Sequence, residues 1–75
     1  MAMAFVLINA ETGEESVVHA KLKEIPEVKE AYLVYGVYDI VARVQTENMQ
    51  ELKDVIGTRI RRLDKVSSTL TTLVV

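Results

Sequence analysis

The apolar residues of this chain fall into segments that short polar stretches separate. Residues 3–8 are apolar at every position, which is typical of a central strand buried on both faces. Further along, Val18, Leu22 and Ile25 recur at steps of three and four residues, the spacing of an amphipathic helix. Because the residue before a proline avoids the helical region, Pro26 predicts that this helix ends at or before Ile25.

Polar residues ahead of the two helical segments indicate where each helix begins. Thr12 is followed three residues later by Glu15, which is the spacing of a capping box at the start of the first helix. Thr46 or Asn48 is suited to cap a second helix over residues 49–63. The apolar positions of that helix recur at helical spacing: Met49, Leu52, Ile56, Ile60 and Leu63.

Three further segments have strand-like composition. Residues 28–35 and 37–45 meet at Gly36, a residue that lets the backbone turn tightly, so they predict a hairpin. In its second strand one face carries Tyr38, Ile40, Ala42 and Val44, and the other carries Asp39, Val41, Arg43 and Gln45. Residues 66–75, rich in Val and Thr, predict a last strand.

The resulting order, β-α-β-β-α-β, matches the ferredoxin-like α+β fold. Right-handed crossovers place both helices on one face of a four-stranded antiparallel sheet and leave the second face bare. Residues 3–8 carry large apolar side chains in both phases, so one set must lie on that bare face. A contiguous apolar face marks an interface. We therefore expect a homodimer in which two sheets pack face to face as an α/β barrel.

Composition sharpens this expectation. The 75 residues predict a single domain, residues 1–75, whose core is thin although 49% of the residues are hydrophobic. A second copy would cover the surplus apolar surface. The formal net charge of −2 predicts no attraction to nucleic acid or to an anionic membrane, and the apolar residues 3–8 are too few to span one. Without cysteine or a signal sequence, we expect a soluble, cytoplasmic protein.

Few side chains suggest catalysis. No nucleophile–base pair, phosphate-binding loop or pair of acids with catalytic spacing stands out, so we expect no catalytic residues and no cofactor. His19 has no second histidine or cysteine to form a metal site, and we expect it to be partly exposed. The sequence leaves two roles open for Asp39: its side chain accepts hydrogen bonds from its own turn, or it binds a ligand.

Residues 28–41, VKEAYLVYGVYDIV, resemble the hairpin of the effector-binding (RAM) domain of the leucine-responsive/AsnC (Lrp/AsnC) family of transcription regulators. Those proteins typically show an apolar strand, a glycine, a polar residue, an aromatic residue, an aspartate and more apolar strand. Residues 66–75 are similar to the last strand of the family. Two features differ. Val37 stands where relatives commonly have Asp, and the chain starts where the family carries a helix-turn-helix, which implies a stand-alone effector domain without direct DNA binding.

The resemblance implies dimers built through the sheets, higher oligomers of those dimers, and an amino-acid effector held between subunits. The contacts it implies are Val34, Gly36, Tyr38 and Asp39 in the hairpin, and Thr69 and Thr71 in the last strand. Chemically, Asp39 can accept from an ammonium group, and the N–H groups of a glycine turn can donate to a carboxylate. The leading hypothesis is therefore a non-catalytic, amino-acid-binding regulatory domain that modulates transcription through full-length family regulators.

Two other classes of function stay open. Face-to-face ferredoxin-like dimers also form small α/β-barrel enzymes, which would need a general base inside the barrel, and His19 offers the only imidazole ring. The third class is a structural adaptor without a ligand.

Overall fold

Seven segments form the fold in the computed structural model, which describes residues 1–75. In chain order these are β1 (Ala2–Ala10), α1 (Glu15–Lys23), β2 (Val28–Leu33), β3 (Ile40–Thr46), α2 (Met49–Asp54), a π-helical turn (Val55–Ile60) and β4 (Val66–Leu73). All neighbouring strands are antiparallel, in the order β2-β3-β1-β4. The predicted ferredoxin-like arrangement is confirmed. Neither helical segment is long and apolar enough to cross a membrane.

The core lies between the sheet and the helices. Along β1 the alternate residues Ala4, Val6 and Ile8 are fully buried against the helical layer, and Leu22 and Ile60 pack there from the helices. The predicted face of β3 is confirmed for Ile40, Ala42 and Val44, which are buried together with Thr46. Tyr38, also assigned to that face, lies before the strand begins. The expectation that β1 is buried on both faces is wrong within one chain. Its other face carries Phe5, which is 39% exposed, because both helices cover the same side of the sheet.

The predicted capping box at Thr12 is wrong. Helix α1 has Glu14 as its N-cap and no side-chain capping hydrogen bond. The reason is a turn that separates Thr12 from the helix: the Glu14 N–H donates to the Glu11 carbonyl oxygen at 2.9 Å, and Gly13 has a φ of 86°. Only glycine adopts that left-handed conformation without strain. The helix ends at Lys23, so the prediction of an end before Pro26 is confirmed.

The second helix begins as predicted but does not run on regularly. The Asn48 side chain accepts a hydrogen bond from the Glu51 N–H at 2.9 Å and is therefore the N-cap. Beyond Asp54 the helix takes the wider π form, so the predicted continuous helix over 49–63 is wrong. The Thr58 hydroxyl donates to the Asp54 carbonyl oxygen. In a regular α-helix that carbonyl accepts a hydrogen bond from the backbone N–H of residue 58. The last strand also ends at Leu73, two residues earlier than predicted.

The hairpin is wider than a tight turn at Gly36. Strand β2 ends at Leu33 and β3 begins at Ile40, which leaves residues 34–39 as a six-residue loop, the 34–39 loop. Its two ends are tied by the Val34 N–H, which donates to the Asp39 carbonyl oxygen at 2.9 Å. The Asp39 N–H in turn donates to the Ile8 carbonyl oxygen in β1 at 3.0 Å. The first bond closes the base of the loop, and the second fixes that base to β1, at positions where the sequence alone predicts strand.

Candidate functional site

The face of the sheet away from the helices, the open face, carries a row of apolar side chains. Its central row crosses all four strands in register: Tyr32, Val41, Leu7 and Leu70. Tyr32 is 55% and Leu70 49% exposed, and nothing in the chain covers them. Exposed large apolar side chains grouped on one face are typical of protein interfaces.

Beside this apolar row the open face carries one polar network. The Arg43 guanidinium donates to Glu30 at 2.6 Å and to the side-chain oxygen of Gln45 at 2.9 Å. The hydrogen bond from Arg43 holds the pKa of Glu30 below its ordinary value, with a smaller effect from Tyr32. The same Glu30 carboxylate raises the pKa of the Tyr32 hydroxyl. Arg43 follows Val41 by two residues on the same face of β3, so the charged pair borders the apolar row directly.

Asp39 is anchored by a strand rather than by its own turn. Its Oδ2 accepts a hydrogen bond from the Ala10 N–H, at the end of β1, at 3.0 Å. No group of the chain donates to its Oδ1. The side chain is half-buried. One carboxylate oxygen therefore has a structural role, and the other is oriented by that bond and available to an external donor.

The rest of the 34–39 loop is apolar and projects from the sheet. Tyr35 is fully exposed, Val37 is 86% exposed, and Val34 is also exposed, whereas Tyr38 is half-buried. Gly36 does not have the left-handed conformation that requires glycine, and a Cβ placed on it would meet nothing within 4 Å. The glycine is therefore not required by the fold, and its missing side chain leaves space at the tip of the loop.

Thr69 and Thr71 lie on β4, apart from the 34–39 loop. They pair with Ile8 and Val6 and so share the helix-side face of β4. There they line a groove of about 420 Å³ between β4 and the π-helical turn, the β4 groove. The other residues along this groove are Lys53, Ile56, Gly57, Arg61, Leu70 and Leu73. Strand β1 separates β4 from β3, so in one chain the two threonines lie about 10 Å in sheet width away from the loop.

The sequence did not single out the β4 groove, because its residues come from a helix and a strand that are distant along the chain. The one sequence feature that could have indicated this groove is a glycine inside the second helical segment, because glycine destabilises a helix interior. Gly57 lies inside the π-helical turn. Turns of this type are frequent at functional sites.

His19 lies on the helix side of the sheet. It is half-buried, and its Nε2 is 2.7 Å from the Ala31 carbonyl oxygen. Since a carbonyl only accepts hydrogen bonds, this ring nitrogen carries a proton and donates it. Ala31 pairs with the buried Ala42, so the ring lies on the layer opposite the open face. No three metal-ligating side chains cluster anywhere in the chain.

Comparison with known proteins identifies the family to which this chain belongs. Residues 3–75 match the family model described as the Lrp/AsnC ligand binding domain. The HTH-type transcriptional regulator FL11 of Pyrococcus furiosus is 40% identical over 58 residues, which make up 73% of this chain and 38% of that protein. The matched part of this chain thus spans well under half the length of that regulator.

Two solved structures are similar over nearly the whole chain. The hypothetical protein PHS023 from Pyrococcus horikoshii is 39% identical with a TM-score of 0.94, covering 100% of this chain and 90% of that one. AsnC of E. coli is 30% identical with a TM-score of 0.89, covering 97% of this chain and 50% of that one.

Proposed function

Because this chain belongs to the Lrp/AsnC family of ligand-binding domains, we propose that it is a non-catalytic regulatory domain that binds an amino acid at its 34–39 loop. The observation that carries the proposal is Asp39, whose Oδ2 is held by the Ala10 N–H while its Oδ1 has no partner. A carboxylate oriented in this way is a prepared acceptor for an ammonium group.

The neighbouring loop residues suit the remainder of such a ligand. Gly36 leaves room for close approach, and Val34 and Tyr38 supply apolar surface beside the carboxylate. Hydrogen bonds to charged groups contribute roughly 1.5–3 kcal/mol each. Several of them together reach the roughly 8 kcal/mol that corresponds to micromolar affinity. Thr69 and Thr71 lie on another strand, so they would join this site only from a neighbouring subunit.

We further propose that two copies associate through their open faces. A stable interface buries about 800 Å² per partner. That is about one sixth of the 4750 Å² that this chain exposes. The exposed Tyr35 and Val37 at the loop tip would then be available for contacts between dimers. In this proposal the amino acid lies between subunits of a higher oligomer.

In this proposal, effector binding changes how dimers associate. Full-length regulators of the family would be the partners through which the domain modulates transcription in the cytoplasm. A small dimeric barrel enzyme is not supported, because His19 is bonded to the Ala31 carbonyl on the side opposite the open face. The alternative is a structural adaptor that binds no ligand. The binding experiment described next distinguishes this adaptor from an amino-acid-binding domain.

Isothermal titration calorimetry against the twenty amino acids tests the site. We expect one or a few of them to bind the wild type, and Asp39→Asn to weaken binding at least about tenfold. The amide oxygen of Asn can still accept from the Ala10 N–H, so thermal stability should be retained. Asp39→Ala would lose both functions and is therefore the less informative variant.

Asp54→Asn serves as the matched control, because Asp54 is exposed on α2 and its change removes the same charge. It should bind as the wild type does. No binding of any amino acid, or equal binding by the wild type and Asp39→Asn, would refute the sensing role and leave the adaptor interpretation.

A further inference from the structure

Met3 is a methionine whose sulfur contacts a charged side chain. It lies on the open face of β1, two residues before Phe5, and pairs with Gln45 of β3. Its Sδ accepts a hydrogen bond from Arg43 Nη1 at 3.6 Å. We propose that Met3 is an oxidation site, and that conversion of its thioether to a sulfoxide weakens the association of two open faces. This role rests on the open-face dimer proposed above.

Met3 can be reached by a small oxidant in the free chain. Its side chain is half-buried and belongs to the face of the sheet that no segment of the chain covers. A second copy packed on that face would cover it. Oxidation of Met3 should therefore proceed through dissociated chains, and association should protect the sulfur.

The chemical step takes a peroxide as the oxidant. The sulfur of Met3 uses a lone pair to form an S–O bond with one peroxide oxygen, and the O–O bond breaks. The transferred oxygen gives its proton to the departing hydroxide, which leaves as water. The sulfur loses two electrons and the peroxide gains them, so the product is a methionine sulfoxide.

The sulfoxide changes the polar network beside the apolar row. A thioether is a weak acceptor, and oxidation turns this flexible apolar side chain into a polar one. Arg43, which already donates to Glu30 and Gln45, is close enough to donate to the new oxygen. That bond satisfies the oxygen only in part, and water supplies the rest in the free chain. Dimerisation removes this water at a cost, so oxidation favours the separated chains.

The other two methionines differ from Met3 in position. Met49 is 39% exposed and lies on α2, on the layer opposite the open face. Met1 contacts the network through Gln45, whose Nε2 is 2.9 Å from its sulfur, but 88% of Met1 is exposed. A sulfoxide at either residue would remain largely hydrated. Oxidation of Met1 or Met49 should therefore leave association unchanged.

The test is sedimentation equilibrium of the full chain before and after treatment with hydrogen peroxide. Peptide mass spectrometry measures the oxidised fraction of each methionine. We expect oxidation of Met3 to raise the Kd of the dimer at least about tenfold. Met3 should also oxidise more slowly as the protein concentration rises, whereas the rate at Met49 should not change.

Variants separate Met3 from the other methionines. Met3→Leu keeps an apolar side chain without sulfur, so it should dimerise as the wild type does and should not respond to peroxide. Met3→Gln places a polar side chain at the same position and should weaken the untreated dimer at least about tenfold. Met49→Gln is the matched control on α2 and should leave the Kd within about twofold. Circular dichroism confirms that each variant folds.

Two results would overturn the oxidation role. The first is an unchanged Kd after complete oxidation of Met3. The second is equal weakening of the treated Met3→Leu dimer, which would assign the effect to another methionine. An untreated wild type that stays monomeric would instead refute the open-face dimer itself, and the oxidation role with it. Absence of amino-acid binding at the 34–39 loop would leave both intact.

Discussion

Replacing Phe5 by alanine tests whether the open face is a dimer interface. Phe5 lies on the central strand β1, in register with Arg43 and Thr72, and 39% of it is exposed in the single chain. Its neighbour Val6 points into the core and is fully buried. The substitution therefore changes the open face while leaving the helix-side core intact.

The expected magnitude follows from the exposed fraction of Phe5. Complete burial of a phenylalanine side chain stabilises by about 1.5–3 kcal/mol. If the dimer covers the 39% that one chain leaves exposed, each copy contributes about 0.6–1.2 kcal/mol. A symmetric dimer contains the residue twice, so the loss is about 1.2–2.4 kcal/mol, or about 7- to 50-fold in Kd.

Sedimentation equilibrium over a concentration series measures this Kd for the wild type and for Phe5→Ala. Val17→Ala is the matched control, because Val17 is 43% exposed but lies on α1, on the opposite layer. It should leave the Kd within about twofold. Circular dichroism confirms that both variants fold. A wild type that stays monomeric at micromolar concentration, or a Phe5→Ala protein that dimerises with wild-type affinity, would refute the reasoning.

Three further predictions concern stability. Leu22→Ala empties a fully buried position and should lower the free energy of unfolding in urea by about 2–5 kcal/mol. Asn48→Ala removes the acceptor of the Glu51 N–H and should cost about 0.5–2 kcal/mol, whereas Asn48→Asp should restore most of it. Arg43 lowers the pKa of Glu30, so this pair stabilises fully above the ordinary pKa of 4.5 and loses its effect as the pH falls through the lowered value. Glu30→Gln should remove that part of the acid dependence of unfolding, and an unchanged acid profile would contradict it.

Alternation along the strands allowed much of the fold to be predicted from the sequence. Ile40, Ala42 and Val44 were correctly predicted to share one face of β3, because the opposite face carries the polar Arg43 and Gln45. The continuous apolar run of β1 carries no such contrast, so its exposed face could be inferred only from the fold as a whole. The prediction of a cap at Thr12 was wrong because Gly13 adopts a positive φ, which the spacing of a capping box does not reveal.

The shape of the 34–39 loop was harder to predict, because it depends on hydrogen bonds between residues that are distant along the chain. At the base of the loop, Asp39 bonds to Ala10 and Ile8. Nothing in the local sequence distinguishes this from a tight turn at Gly36. The π-helical turn lies within an apolar repeat of regular helical spacing, so the repeat alone does not reveal it.

The position of β1 between β3 and β4 also has a consequence for folding. Leu7 pairs with Val41 on one side and with Leu70 on the other, so both of its partners lie far along the chain, and only β2 and β3 form a local hairpin. Closing long loops costs conformational entropy and slows folding. We expect the pairing of β4 with β1 to be the last closure. Strand β4 completes both the open face and the β4 groove, so a partly folded chain would present neither surface, and self-association would select for molecules that have finished folding.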